Sequence, residues 1–150
     1  MASTPTRAVN PARQLTVIRS VLPAATGTVR SGELDCVMSI QPSPASQTYT
    51  VRLRYQHGRH PQVTVIDPQL TLHPDAQALP HVYPKEELCL YYPGEWRYDM
   101  LLATTILPWT AEWLMHYELW LITGRWTGGG HTGRSTLCRD RRCRRDIGRA

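Results

Sequence analysis

The sequence predicts an α+β domain, and three observations predict it. Residues 11–22 carry apolar side chains at Leu15, Ile18 and Leu22, the spacing of one helix face. Residues 34–40, 48–55 and 63–66 are short runs that alternate or cluster as strands do, joined by turn residues. Residues 100–125 then form the longest apolar tract and return to helical spacing. Strands grouped between helices, rather than alternating with them, imply an antiparallel meander.

Taken in order, residues 1–9 are rich in Ala, Ser, Thr and Pro and are expected to be a disordered N-terminus. One folded domain is expected over 10–131, followed by a basic tail over 132–150. Asn10 before Pro11 is a good cap and first turn for the helix. Residues 23–32 read as a linker. Leu34, Cys36, Met38 and Ile40 share one face of the first strand, so Cys36 is expected in the core. Tyr49, Val51, Leu53 and Tyr55 share a face of the second, with Thr50, Arg52 and Arg54 opposite. A third strand covers 63–66, with 69–72 a candidate continuation past Pro68. Pro108 should end or kink a first C-terminal helix and open the next. In that second helix Trp109, Trp113, Tyr117, Trp120 and Leu121 fall on one face, a core stripe by preference over a partner groove. Gly124 supplies the stop. Pro108, Glu112, His116 and Glu118 argue against a bilayer span.

Charge is divided unevenly. Residues 1–131 hold ten Lys/Arg and ten Asp/Glu, whereas 132–150 hold seven Arg and two Asp, which is the entire net charge of +5. The body is neutral, so specific nucleic-acid binding by the fold is not expected. No apolar run occupies the first 14 residues, so no signal peptide is expected and a reducing cytoplasm is the expected setting for the four cysteines. Cys138 and Cys143 near His131 lack the spacing of a standard zinc finger and offer too few ligands. No metal and no cofactor is expected.

The stretch from Leu79 to Trp96 concentrates the chemistry. Three prolines and a glycine lie within the 15 residues 80–94, which excludes one regular helix or central strand. An irregular surface loop with a brief extended piece around Leu88-Cys89-Leu90 is the reading, and such loops commonly carry reactive groups. This loop resembles the active-site loop of ubiquitin-conjugating enzymes, in which a His-Pro-Asn tripeptide precedes the catalytic cysteine and a tryptophan follows it. Leu79-Pro80-His81 sits at the tripeptide, with His81 eight residues before Cys89, and Trp96 seven after. A closer resemblance, over about 34–131, is to the conjugating-enzyme-like proteins of bacterial type II CBASS anti-phage islands. Its carriers are the run Leu88 to Pro93, then Pro108-Trp109-Thr110 through Trp120, and Gly128-Gly129-Gly130-His131.

The resemblance implies a conjugating-enzyme-like fold and a transferase working by transthioesterification. Cys89 would be the nucleophile, with the C-terminus of a cGAS-like nucleotidyltransferase as acyl donor, an amine as acceptor and an activating enzyme often involved. No nucleotide-binding loop is visible for activating a carboxylate with ATP. His81, at the position of the family's Asn, is the candidate oxyanion donor. Lys85, the one lysine, is a weak candidate for stabilising the thiolate from four residues away. His73-Pro74-Asp75 mimics the tripeptide but lies too far upstream and reads as a turn. His116 reads as an interior or boundary histidine. Two other functions compete: a scaffold of the same fold with an idle cysteine, and a nucleic-acid or membrane-surface binder acting through the tail. Burial of Cys89 would favour the scaffold.

Overall fold

The computed structural model describes residues 7–128. Helix α1 spans Pro11–Val21, with Asn10 Oδ1 accepting from the Arg13 N–H at 2.8 Å and Pro11 filling the first turn, where no N–H is needed. A meander follows: β1 Thr26–Arg30, β2 Glu33–Ile40, β3 Tyr49–Gln56 and β4 Gln62–Asp67, antiparallel throughout and in that spatial order. The register places Cys36 opposite Leu53 and Met38 opposite Val51, so the expected apolar faces of β2 and β3 meet on the core side. On the other face Arg52 and Arg54 pair with Asp35 and Glu33 across the strands. Cys36 is fully buried in the core, and desolvation holds its thiol above the ordinary value.

Three expectations are corrected. The meander has four strands rather than three, because β1 occupies the stretch read as a linker. Its residues are exposed or half-buried, so no buried alternation marked it. The strand at Gln62–Asp67 does not continue over 69–72; a cis bond joins Asp67 to Pro68 at its end. The C-terminal tract holds one α-helix, α2 Ile106–Thr123, preceded only by a 3-10 turn at Leu102–Thr104. Pro108 lies inside the first turn of α2, where a missing N–H costs nothing, so it neither ends nor kinks a helix.

The core lies between the sheet and the two helices. Ile18 of α1, Leu34, Leu53 and Tyr55 of the sheet, and Ile106 and Leu114 of α2 are at most 1 % exposed. Trp113, Tyr117 and Trp120 are buried, which bears out the core reading of the aromatic stripe, while Trp109 is half-buried. The Tyr117 hydroxyl accepts from the Thr71 N–H at 2.8 Å, and the Tyr49 hydroxyl donates to Glu118, so α2 is tied to both β3 and the segment after β4. Gln14, fully buried on α1, donates to Met100 O at 2.8 Å and accepts from the Leu102 N–H at 2.9 Å, fastening the chain that enters α2. Val9 joins the body through its N–H, 2.8 Å from Tyr98 O. Gly124 ends α2 in the left-handed conformation (φ 73°), as its sequence position predicts.

Candidate functional site

Between β4 and α2 the chain forms a small hairpin, β5 Val82–Tyr83 paired with β6 Glu87–Leu88. The tight turn Pro84–Glu86 joins them, with Lys85 and Glu86 at positive φ. Cys89 follows β6 directly. Its N–H donates to His81 O at 3.0 Å, so the residue entering the hairpin holds the residue leaving it. The same carbonyl accepts from Trp113 Nε1 of α2 at 3.1 Å. His81 adopts φ 51°, a conformation in which Asn, Asp and His are enriched among non-glycine residues. Its carbonyl is thereby the anchor between the cysteine and the helix.

Cys89 lines a narrow cleft of about 20 Å³, room for one water, with His81, Tyr91, Trp109, Glu112, Trp113, His116 and Trp126 among its walls. Trp126 stacks on the His81 ring at 5.0 Å and lies 5.4 Å from Trp113 and 6.0 Å from His116. One indole therefore spans the two histidines. On the same helix turn, His116 Nε2 is 3.9 Å from Glu112 Oε1, and His116 Nδ1 is hydrogen-bonded to Thr127 Oγ1 at 3.2 Å. Burial holds the Tyr91 phenol well above its ordinary value, so it is a neutral hydroxyl at the wall.

The predicted site residues fare differently. Cys89 and His81 come together as expected. Lys85 sits in the exposed hairpin turn and is not among the cleft residues. Trp96 packs edge-on against Tyr55 at 5.6 Å and borders a second cavity of about 180 Å³, with His60, Glu87, Leu90 and Tyr91 among its other walls. His73-Pro74-Asp75 is a turn closed by the Ala76 N–H on His73 O at 2.9 Å. Access to Cys89 is corrected: it is 6 % exposed, because the loop is packed between the hairpin and α2 rather than laid on the surface. It is also disulfide-bonded, against the expectation of a reduced thiol, so thioester chemistry belongs to the reduced protein. His131, Cys138 and Cys143 lie outside the described residues, among which no cluster of three metal-ligating side chains occurs. Also among the described residues, no helix is long and apolar enough to cross a membrane.

Sequence reasoning read His116 as an interior or boundary histidine and cited Glu112 only against a bilayer span; it assigned neither of them, nor Trp126, to the cysteine site. The one signal for the first two is that they share the α2 face of Trp109 and Trp113 at three- and four-residue spacing.

A helix, an antiparallel meander, a cysteine loop and a closing helix, in that order, define an α+β protein compatible with the conjugating-enzyme-like fold. The model of the type II CBASS E2 protein family matches residues 14–134, and the chain belongs to that family. No curated protein matches the chain. The family membership assigns it a part in CBASS anti-phage defence.

Proposed function

We propose that the chain is an acyl carrier and transferase of CBASS, with Cys89 as its nucleophile. The reduced Cys89 thiolate attacks an already activated C-terminal carbonyl of the cGAS-like nucleotidyltransferase and displaces the thiol of a separate activating enzyme. The thioester then gives up its acyl group to an amine. A C–N bond forms, the C–S bond breaks, and Cys89 leaves as thiolate. His81, fixed beside Cys89, is the candidate for stabilising the carbonyl oxygen as charge develops there. The observation that carries this reading is the shared cleft of Cys89, His81 and His116, within the family-matched span.

The second reading is a scaffold that docks the nucleotidyltransferase, and the 6 % exposure of Cys89 favours it. One experiment separates the two. The protein, kept reduced with a phosphine, is incubated with nucleotidyltransferase and activating enzyme. The transferase reading expects an adduct cleaved by hydroxylamine, absent in Cys89→Ala and converted to a more persistent oxyester in Cys89→Ser. Stable binding without any adduct would establish the scaffold; an adduct that persists in Cys89→Ala, or sits on Cys36, would overturn Cys89 as nucleophile.

A further inference from the structure

We infer that the α2 wall of the Cys89 cleft is the site for the acceptor amine, with Glu112 drawing in the ammonium and His116 taking its proton. The inference rests on the transferase reading and adds the residues that receive the second substrate. An amine attacks a thioester only with its lone pair free, yet a lysine-type amine titrates near 10.4 and is almost fully protonated at neutral pH. Some group at the cleft must hold the cation and then accept its proton.

Glu112 and His116 suit those tasks by position. The Glu112 side chain is 43 % exposed and that of His116 23 %, and both line the cleft that holds Cys89, so the carboxylate is the more open of the two to solvent. A carboxylate at the rim attracts an ammonium arriving from solvent. The imidazole is held from behind. Nδ1 is engaged by Thr127 Oγ1, and the Gly128 backbone lies so close that a Cβ there would be 2.4 Å from His116 Cγ and Cδ2. Trp126 covers the ring from a third side. In the tautomer whose Nδ1–H donates to Thr127 Oγ1, Nε2 carries the lone pair that takes the proton, and Glu112 Oε1, 3.9 Å away, stabilises the imidazolium that results. The step balances: the ammonium gives its first proton to His116 Nε2 and attacks with the lone pair this frees, its second proton is released to water as the amide bond forms, and the electron pair of the C–S bond leaves with Cys89 Sγ.

The test uses full-length protein, reduced and charged at Cys89 by exchange with a synthetic peptide thioester, then discharged in single turnover to Nα-acetyl-lysine amide or to hydroxylamine. Hydroxylamine is already unprotonated at neutral pH and does not require a base. His116→Gln, which keeps a side-chain partner for Thr127, should slow discharge to the lysine amide by about 10²-fold, the lower range for a positioned base. Discharge to hydroxylamine should stay within about twofold of wild type. The variant's lysine rate should climb with pH toward about 10.4, while the wild-type rate levels off well below it. Glu112→Gln, at an exposed position, should raise the lysine-amide concentration needed for half-maximal rate and leave hydroxylamine discharge unchanged. Equal lysine discharge by wild type and His116→Gln, or equal losses toward both acceptors, would overturn the inference. Failure of wild-type Cys89 to take up the acyl group strikes instead at the transferase reading.

Discussion

His81 carries two loads, and substitutions separate them. Its backbone, at φ 51°, supplies the carbonyl that binds both the Cys89 N–H and Trp113 Nε1, while its ring stacks on Trp126 at the cleft. Asn tolerates this conformation and brings an amide donor, so His81→Asn should keep most transfer activity. Glycine accepts the same φ without strain but removes the ring; alanine removes the ring as well and is strained at that φ. His81→Gly and His81→Ala should therefore share a loss of about 10² in the single-turnover discharge of a preformed Cys89 thioester, as one lost oxyanion donor costs. Only His81→Ala should also lower the melting temperature appreciably. Discharge as fast as wild type in the glycine variant would place the oxyanion donor elsewhere in the loop. At this scale the sequence showed Cys89 and His81, because their loop is punctuated by prolines and their spacing is local. Glu112, His116 and Trp126 reach the cleft only when α2 and the residues after it fold back over the hairpin, and no short spacing announces that return.

Among the elements, the approach to α2 depends on a single amide. Gln14 projects from α1 into the core and bridges Met100 O and the Leu102 N–H, backbone groups in an irregular stretch with no ladder of its own. Gln14→Leu preserves much of the volume but leaves both groups without that partner, at about 1–3 kcal/mol for each buried orphan. Urea unfolding should show a midpoint lowered accordingly, with the slope unchanged. An unaltered midpoint would mean that water or a backbone shift replaces the amide. The helix and the two central strands were legible because their apolar periodicity is also their burial pattern. Edge strand β1 was not. Its side chains never become fully buried, and Gly27 within it has no room for a side chain, a Cβ there lying 2.8 Å from Leu15 Cδ1. Pro108 misled for a local reason: the same residue that breaks a helix interior is harmless in a first turn, and only the structure shows where that turn begins.

For the whole molecule, charge divides the chain near residue 131. The described body closes one core from α1 to α2, and its acidic and basic residues balance, with Arg52 and Arg54 answering Asp35 and Glu33 across the sheet. Residues 132–150 carry the entire net charge of +5, and we propose that they lie outside the folding unit, although the family match runs to 134. Deleting 132–150 should then change stability by less than about 1 kcal/mol, the range for changes away from packed features. The comparison belongs in reducing buffer, so that the oxidation state of Cys89 does not enter. Reduced truncated protein should also charge at Cys89 and discharge to an amine at the wild-type rate, since the cleft is built from residues 81–126. Binding to anionic vesicles or to DNA at low salt should weaken on deletion if the tail has affinity of its own, because each arginine contributes chiefly through screened electrostatics. Unchanged transfer with lost vesicle or DNA binding would make the tail a separate surface-binding segment. A truncated protein that melts several degrees lower, or that charges poorly while reduced, would place the domain boundary beyond 131 and make part of the tail structural.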